Sequence, residues 1–150
     1  MKRLATFTID RVAYGVDVTR VREIVRPQEI TPIPLAPPEV AGLINLRGEI
    51  VTALDLRIRL GAAARASGGT MNVIMTSPHG PVSLLVDHAG DVLEVDEGTL
   101  ERAPTTLGGP ARDLILGTYQ LDGRLLMELD VERTIDETTP SGTDVEVEHR

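Results

Sequence analysis

Three histidines, two repeated aspartates and one acidic–basic couple are the side chains of this sequence that could carry chemistry. His79 lies in the turn-like Ser77-Pro78-His79-Gly80, His88 follows an apolar run, and His149 sits in a polar stretch. Without cysteine, and with the carboxylates scattered, they give no metal-ligand spacing, so each reads as a solvated or structural residue. Asp55 and Asp130 occupy equivalent places in an internal echo. A carboxylate pair can do acid–base work, but repetition argues for a structural task, such as capping the segment that follows each strand. Gly108-Gly109 lacks the lysine and Ser/Thr of a phosphate loop. Glu23 interrupts an apolar run, and Arg47 sits beside Gly48. Either both point to solvent, where a pair is worth roughly 0–1 kcal/mol, or they form a partly buried bidentate pair that ties two elements together. With no nucleophile–base pair, the pattern suits a binding module rather than an enzyme, and no cofactor or metal is expected.

The elements that position these residues centre on Gly42 to Arg57, which reads as two short apolar strands around a tight turn. Leu46-Arg47-Gly48-Glu49-Ile50-Val51-Thr52-Ala53-Leu54-Asp55-Leu56 is echoed by Leu121-Asp122-Gly123-Arg124-Leu125-Leu126-Met127-Glu128-Leu129-Asp130-Val131. Val21 to Val25 is echoed by Val92 to Val95, with Glu23 matched to Glu94. Two repeats are too few for a solenoid and suggest two similar subdomains on one core.

Leu4–Asp10 and Ala13–Val18 read as strands joined by a two-residue turn at Asp10-Arg11. Val18, Val21, Ile24 and Val25 have spacing that fits one or two helical turns capped by Thr19. Their β-branching leaves a continuing strand as the alternative. Pro27, Pro32, Pro34, Pro37 and Pro38 mark a surface loop. Val40–Asn45 and Glu49–Asp55 are strands, and Ala62–Thr70 reads as a mobile loop. The second half repeats the plan: Asn72–Thr76, Pro81–Val86, Ala89–Val95, then a hairpin of Leu114–Gln120 and Arg124–Leu129 about the I′-type signal Asp122-Gly123. Asp130–Ile135 reads as a short closing helix. Gly42, Gly48 and Gly123 are taken as structural turn glycines. Many short strands at regular spacing point to barrels or sandwiches.

Composition narrows the function. The 150 residues fit one domain of two small subdomains, because half of the chain alone would bury a marginal core. A net charge of -8, with Phe7, Tyr14 and Tyr119 the only aromatics, argues against nucleic acid as partner. No apolar stretch approaches the roughly 18 residues of a membrane span, and no secretory h-region is visible, so a cytoplasmic protein without membrane insertion is expected. Residues 137–150 are polar and acidic and read as a disordered tail. A monomer is expected in isolation, since closed barrels expose few free edges.

These motifs, taken in order, resemble the CheW family of chemotaxis coupling proteins. The match runs from about Ala5 to Ile135. It is strongest in Gly42-Leu43-Ile44-Asn45-Leu46-Arg47-Gly48 with Asp55-Leu56-Arg57, and continues in Tyr14 to Val18, Val21 to Val25, Ile30-Thr31-Pro32-Ile33-Pro34, Leu84-Leu85-Val86-Asp87 and Asp122 to Leu126. Thr52 stands where the family usually has proline, and Ala89-Gly90 where bulkier residues are common.

The resemblance implies a mainly β fold. Two intertwined SH3-like five-stranded β-barrel subdomains, at about 15–65 and 66–130 in sequence, share one hydrophobic core within a single domain 1–136, with a few short helices. It implies a non-catalytic adaptor linking chemoreceptor tips to the regulatory domain of a CheA-type histidine kinase. The alternative within the family is an adaptor or competitor in a non-motility (pilus, biofilm or developmental) pathway. A small β-barrel enzyme or ligand-binding protein is the alternative of another class. Val18, Val21 and Ile24 would face the kinase, although Val18 equally suits the core. Glu23 and Arg47 resemble the family's functional acidic–basic pair. Asn45, Leu46, Arg47, Val86 and Val92 would meet the receptor.

Overall fold

The computed structural model describes residues 1–62, 70–103 and 109–136. Most of the expected Ala62–Thr70 loop, Gly108, and the expected 137–150 tail with His149 lie outside the described residues. Ten strands form two five-stranded sheets. They are β1 (Lys2–Ile9), β2 (Val12–Asp17), β3 (Val21–Val25), β4 (Val40–Leu46), β5 (Glu49–Asp55), β6 (Met71–Met75), β7 (Val82–Val86), β8 (His88–Val95), β9 (Ile115–Leu121) and β10 (Arg124–Leu129). The helices are short: α1 (Leu56–Arg59), α2 (Pro110–Leu114) and α3 (Val131–Asp136).

The central sheet has the order β3-β6-β7-β5-β4, and the terminal sheet β8-β1-β2-β10-β9. Subdomains divided at about residues 65 and 66 are therefore corrected. β6 and β7 fall beyond that boundary yet pair into the central sheet, while β1 and β2 join the strands from the far end of the chain. The reason is the parallel pairing of β5 with β7 and of β10 with β2, through which each half lends a hairpin to the other half's sheet.

Superposing the ladders gives the equivalences. Leu46 opposite Glu49 corresponds to Leu121 opposite Arg124, and Thr52 opposite Val82 to Met127 opposite Tyr14. Met75 then matches Phe7, and Ile24, opposite Val73, matches Val92, opposite Ala5. Glu23 thus corresponds to Asp91, one residue before Val92, rather than to Glu94. A gapped alignment of two alternating strands slips easily, because register is set by pairing and not by residue type.

Alternation divides the side chains between two faces. One face of each sheet supplies the shared core, which includes Phe7, Tyr14, Val16, Leu54, Leu56, Val73, Leu84, Leu114 and Leu129. The other face lines its own subdomain: Ile44, Leu46, Val51, Ala53, Ile74 and Leu85 in the centre, and Leu4, Val95, Tyr119 and Leu126 in the terminal half. With no tryptophan, branched aliphatics carry the core, each worth roughly 1.5–3 kcal/mol when fully buried.

Three details of the turns follow from the sequence. Asp10-Arg11, Arg47-Gly48 and Asp122-Gly123 all have positive φ at both residues, as type I′ hairpins require. Asp55 and Asp130 do cap: their Oδ1 atoms accept from the backbone N–H of Arg57 at 3.0 Å and of Arg133 at 3.1 Å. Gly42, by contrast, is not a turn residue but lies inside β4. Thr31 exchanges backbone hydrogen bonds with Leu43 at 2.8 Å, and a Cβ on Gly42 would sit 2.2 Å from the Thr31 carbonyl oxygen. Glu101 exchanges the same pair of bonds with Thr118, beside Gly117.

Those contacts cover the outer strands β4 and β9. Among the described residues no ladder joins β3 to β4 or β8 to β9, so neither sheet closes by backbone hydrogen bonds. The argument for a monomer from closed barrels therefore does not hold, since β3 and β8 each keep a free edge.

A candidate partner-binding surface

The surface of interest begins where β2 ends. The Asp17 carboxylate accepts from the Thr19 N–H at 2.9 Å and starts a single 3-10 turn, Val18–Arg20. The chain then enters β3 directly, so the expected helix over Val18 to Val25 is replaced by its strand alternative, with Asp17 rather than Thr19 as the cap. β-branching and the pairing of Val21 with Met75 decide in favour of the strand. Period two now governs. Val21 packs against the shared core and Val25 against the central one, while Ile24 turns outward, 38% exposed. Val18 also packs on the shared core. The three expected kinase contacts therefore do not form one stripe, and Ile24 alone is largely open.

Beside β3 stands the β4–β5 turn. The Asn45 Oδ1 accepts from the Gly48 N–H at 2.8 Å and closes it. This holds Arg47 at φ 54, a left-handed conformation that is costly for a residue with a Cβ. From there the Arg47 Nη2 donates to the Glu23 Oε2. Arg22 Nη2 reaches the Glu49 Oε1 at 2.9 Å, and Arg22 Nε lies 3.7 Å from Glu23. Four alternating charges thus span from β3 to the β4–β5 turn and the start of β5. The Glu23–Arg47 pair exists, resolving the two sequence readings, but through one guanidinium nitrogen rather than two. Its Arg47 side chain is 65% exposed, so its contribution is geometric more than energetic. The hydrogen bond to Glu49 holds the Arg22 guanidinium above its ordinary pKa.

The five residues expected to meet a receptor are dispersed. Asn45 and Arg47 are exposed at the turn. Leu46 is buried among Ile44 and Val51, and Val86 is fully buried in the shared core. Alternation explains Leu46, which follows the outward Asn45, whereas Val86 ends β7, a strand buried on both faces. Val92 is half-exposed, on the free edge of the terminal sheet. Leu46 and Val86 are therefore unavailable to a partner without unfolding their strands.

One cluster escaped sequence reasoning. Arg57, just inside α1, places its Nη1 2.7 Å from the Asp10 Oδ1 and 3.0 Å from the Asp87 Oδ2, and the Asp10 N–H donates to Asp87 at 2.9 Å. It ties the central sheet to the β1–β2 turn of the terminal one and fixes their relative placement. The bond to Asp10, together with the Asp87 charge, raises the arginine's pKa. The separation in sequence left no signal for it. Among the described residues no three His, Asp or Glu side chains gather as metal ligands, and no helix is long and apolar enough to cross a membrane.

Comparison with known proteins follows the fold closely. The CheW-like domain family matches residues 3–139. The chain is 32% identical to the chemotaxis protein CheW of Rhizobium meliloti, over 86% of this chain and 85% of that one. It is 30% identical to the chemotaxis protein CheW of Treponema pallidum, over 87% and 80%. Among solved structures, the crystal structure of the scaffolding protein TtCheW from Thermoanaerobacter tengcongensis superposes with a TM-score of 0.76 at 28% identity, covering 87% of this chain and 84% of that one.

Proposed function

The chain belongs to the CheW-like domain family, a family of scaffold proteins rather than enzymes, and from that premise we propose that it is the cytoplasmic adaptor that couples chemoreceptors to a CheA-type histidine kinase. It works as a scaffolding component of chemotaxis signalling. What supports the finer reading is the surface formed by β3 and the β4–β5 turn, where an exposed Ile24 lies on a free strand edge held by the Glu23–Arg47 and Arg22–Glu49 pairs. A free edge offers main-chain hydrogen bonds to another protein, and an outward aliphatic supplies the apolar contact. The clamp at Arg57 keeps the two sheets rigid, so a receptor's shape can reach the kinase through differential contacts.

The test is calorimetric titration with the kinase regulatory domain and the receptor tip of the same organism, followed by receptor-dependent kinase activation. Ile24→Asp is the kinase-side variant, because Val21 packs on the core and Val21→Asp would unfold β3. Arg47→Ala is the receptor-side variant. Binding of both partners and activation by the native chain, with kinase binding lost in Ile24→Asp and receptor coupling lost in Arg47→Ala, supports the proposal. Full activation with both variants overturns it, and kinase binding without activation identifies a competitor instead.

A further inference from the structure

The terminal subdomain contains a cavity of about 190 Å³ whose position in the fold is the one that ion pairs close in the central subdomain. The ladder equivalences make this comparison residue by residue. In the centre, Glu23 and Arg22 on β3 bind Arg47 and Glu49 at the hairpin. In the terminal sheet the same positions on β8 are Asp91 and Gly90, and those at the hairpin are Asp122 and Arg124. Both pairings are lost by substitution: the equivalents of Glu23 and Arg47 are two aspartates, Asp91 and Asp122, and Gly90 has no side chain to offer Arg124. Among the described residues neither the Asp91 carboxylate nor the Arg124 guanidinium has an ion-pair partner, and both line the cavity.

The interior beneath them is also emptied by substitution. Ile74 of the central core is matched by Thr6, whose Oγ1 donates to the Asp91 carbonyl at 2.6 Å. That bond stabilises a bulge on β8, where two residues, Gly90 and Asp91, stand against Thr6 alone. A Cβ at position 90 would approach the Thr6 Oγ1 to 2.7 Å, so the bulge is built around glycine. Bulges of this kind at a sheet edge re-aim side chains. Leu93, Leu121 and Leu126 give the cavity an aliphatic wall.

We infer that this cavity is a binding site for a small zwitterion with an aliphatic body, namely a free α-amino acid of the size of leucine. A carboxylate pairs with the guanidinium of Arg124, an ammonium with the carboxylate of Asp91, and the side chain packs on the three leucines. Charge-assisted contacts fix the two groups on the α-carbon, and the apolar wall takes the side chain, as small-molecule sites generally require. The volume agrees: it somewhat exceeds the roughly 150 Å³ engineered cavity that takes up benzene, and it is too small for a nucleotide or a peptide. The site is separate from the β3 surface, so its occupancy is measured on the isolated chain and does not depend on the coupling role.

The experiment is a titration of the full chain with L-leucine, followed by amide chemical shifts in NMR. 4-Methylpentanoate, which lacks the ammonium, and isoamylamine, which lacks the carboxylate, are titrated in parallel. Saturable shifts centred on β8, β9 and β10 are expected with leucine, weaker by at least about tenfold in Kd with either analogue. Arg124→Ala and Asp91→Asn, both at exposed positions that the core does not use, are each expected to weaken leucine binding by a similar factor while leaving the remaining amide spectrum in place. No saturable shift with leucine overturns the inference. So does binding of either analogue as tight as that of leucine, or binding unchanged in both variants.

Discussion

The two subdomains share strand order and hairpin geometry but solve the interior differently. The central one fills its pocket with Ile44, Leu46, Val51, Ala53, Ile74 and Leu85, and ties its outer strands with exposed ion pairs. The terminal one has fewer buried aliphatics and a cavity, and where the centre has Ala53 it carries Glu128, only 2% exposed. That carboxylate accepts from Lys2 at 2.6 Å and from the Tyr119 hydroxyl at 3.2 Å. A single fold thus tolerates an aliphatic interior with one neutral Ser83–Asn72 hydrogen bond or a buried charged network, provided that the buried polar groups find partners. The charge belongs inside one subdomain and at the rim of the other.

The sharpest way to break the symmetry is at its glycines. Gly42→Ala places a Cβ 2.2 Å from the Thr31 oxygen and requires φ +148 of a residue with a side chain. Overpacking costs typically about 1–3 kcal/mol, and this site is expected at or above the top of that range in urea unfolding. Gly117→Ala meets the Glu101 oxygen at 2.5 Å without positive φ, and is expected to cost less. Equal losses would show that the two loop contacts are equivalent after all.

Lys2→Met probes the buried charge that the central subdomain lacks. Removing one partner of a fully buried pair costs about 3–5 kcal/mol. Lys2 keeps a quarter of its side chain exposed, which lowers the expected loss to about 2 kcal/mol. The double variant Lys2→Met/Glu128→Ala, which imitates Ala53, is expected to regain part of the loss, a coupling that a double-mutant cycle measures directly.

Alkaline pH separates the subdomains more gently. Burial, with the Glu128 charge beside it, raises the Tyr119 pKa from 10.0 to about 12, and the hydrogen bond to Glu128 raises that of Lys2 above 10.5. Both groups hold their protons more tightly in the folded chain than in the unfolded one. Their stabilisation is therefore intact below pH 10 and is lost as the pH climbs towards 12. Unfolding free energies measured across that window should fall, and Tyr119→Phe should flatten the fall. An unchanged slope would remove Tyr119 from the account.

The smallest expected effect is Arg47→Ala. An exposed pair contributes under about 1 kcal/mol, so thermal unfolding should barely move even where receptor coupling is lost. A large loss of stability would mean that the charged span across β3 and the hairpin closes the central sheet energetically as well as geometrically.

Much of the fold was legible because hairpins declare themselves locally. Asp10-Arg11, Arg47-Gly48 and Asp122-Gly123 mark their turns, the repeated Asp55 and Asp130 mark the caps, and alternation marks the strands between. The site was legible only in part. The Glu23–Arg47 pair could be named from its residue types. The burial of Leu46 and Val86, and the scattering of Val18, Val21 and Ile24, could not be read, because a run of β-branched residues satisfies helical and strand periods at once until a neighbouring strand fixes it.

The sequence by itself determined the local plan: where strands turn, which aspartates cap, which family the chain resembles, and that no catalytic constellation is encoded. Only the tertiary structure decided which hairpin joins which sheet, that Glu23 is matched by Asp91, and that one subdomain is hollow where the other is tied shut. Turn and cap energies act within a few residues and are written in the chain in order. The pairing of β5 with β7 and of β10 with β2 joins segments far apart in the chain. It is chosen by the burial of the faces that meet across them, which no local pattern specifies.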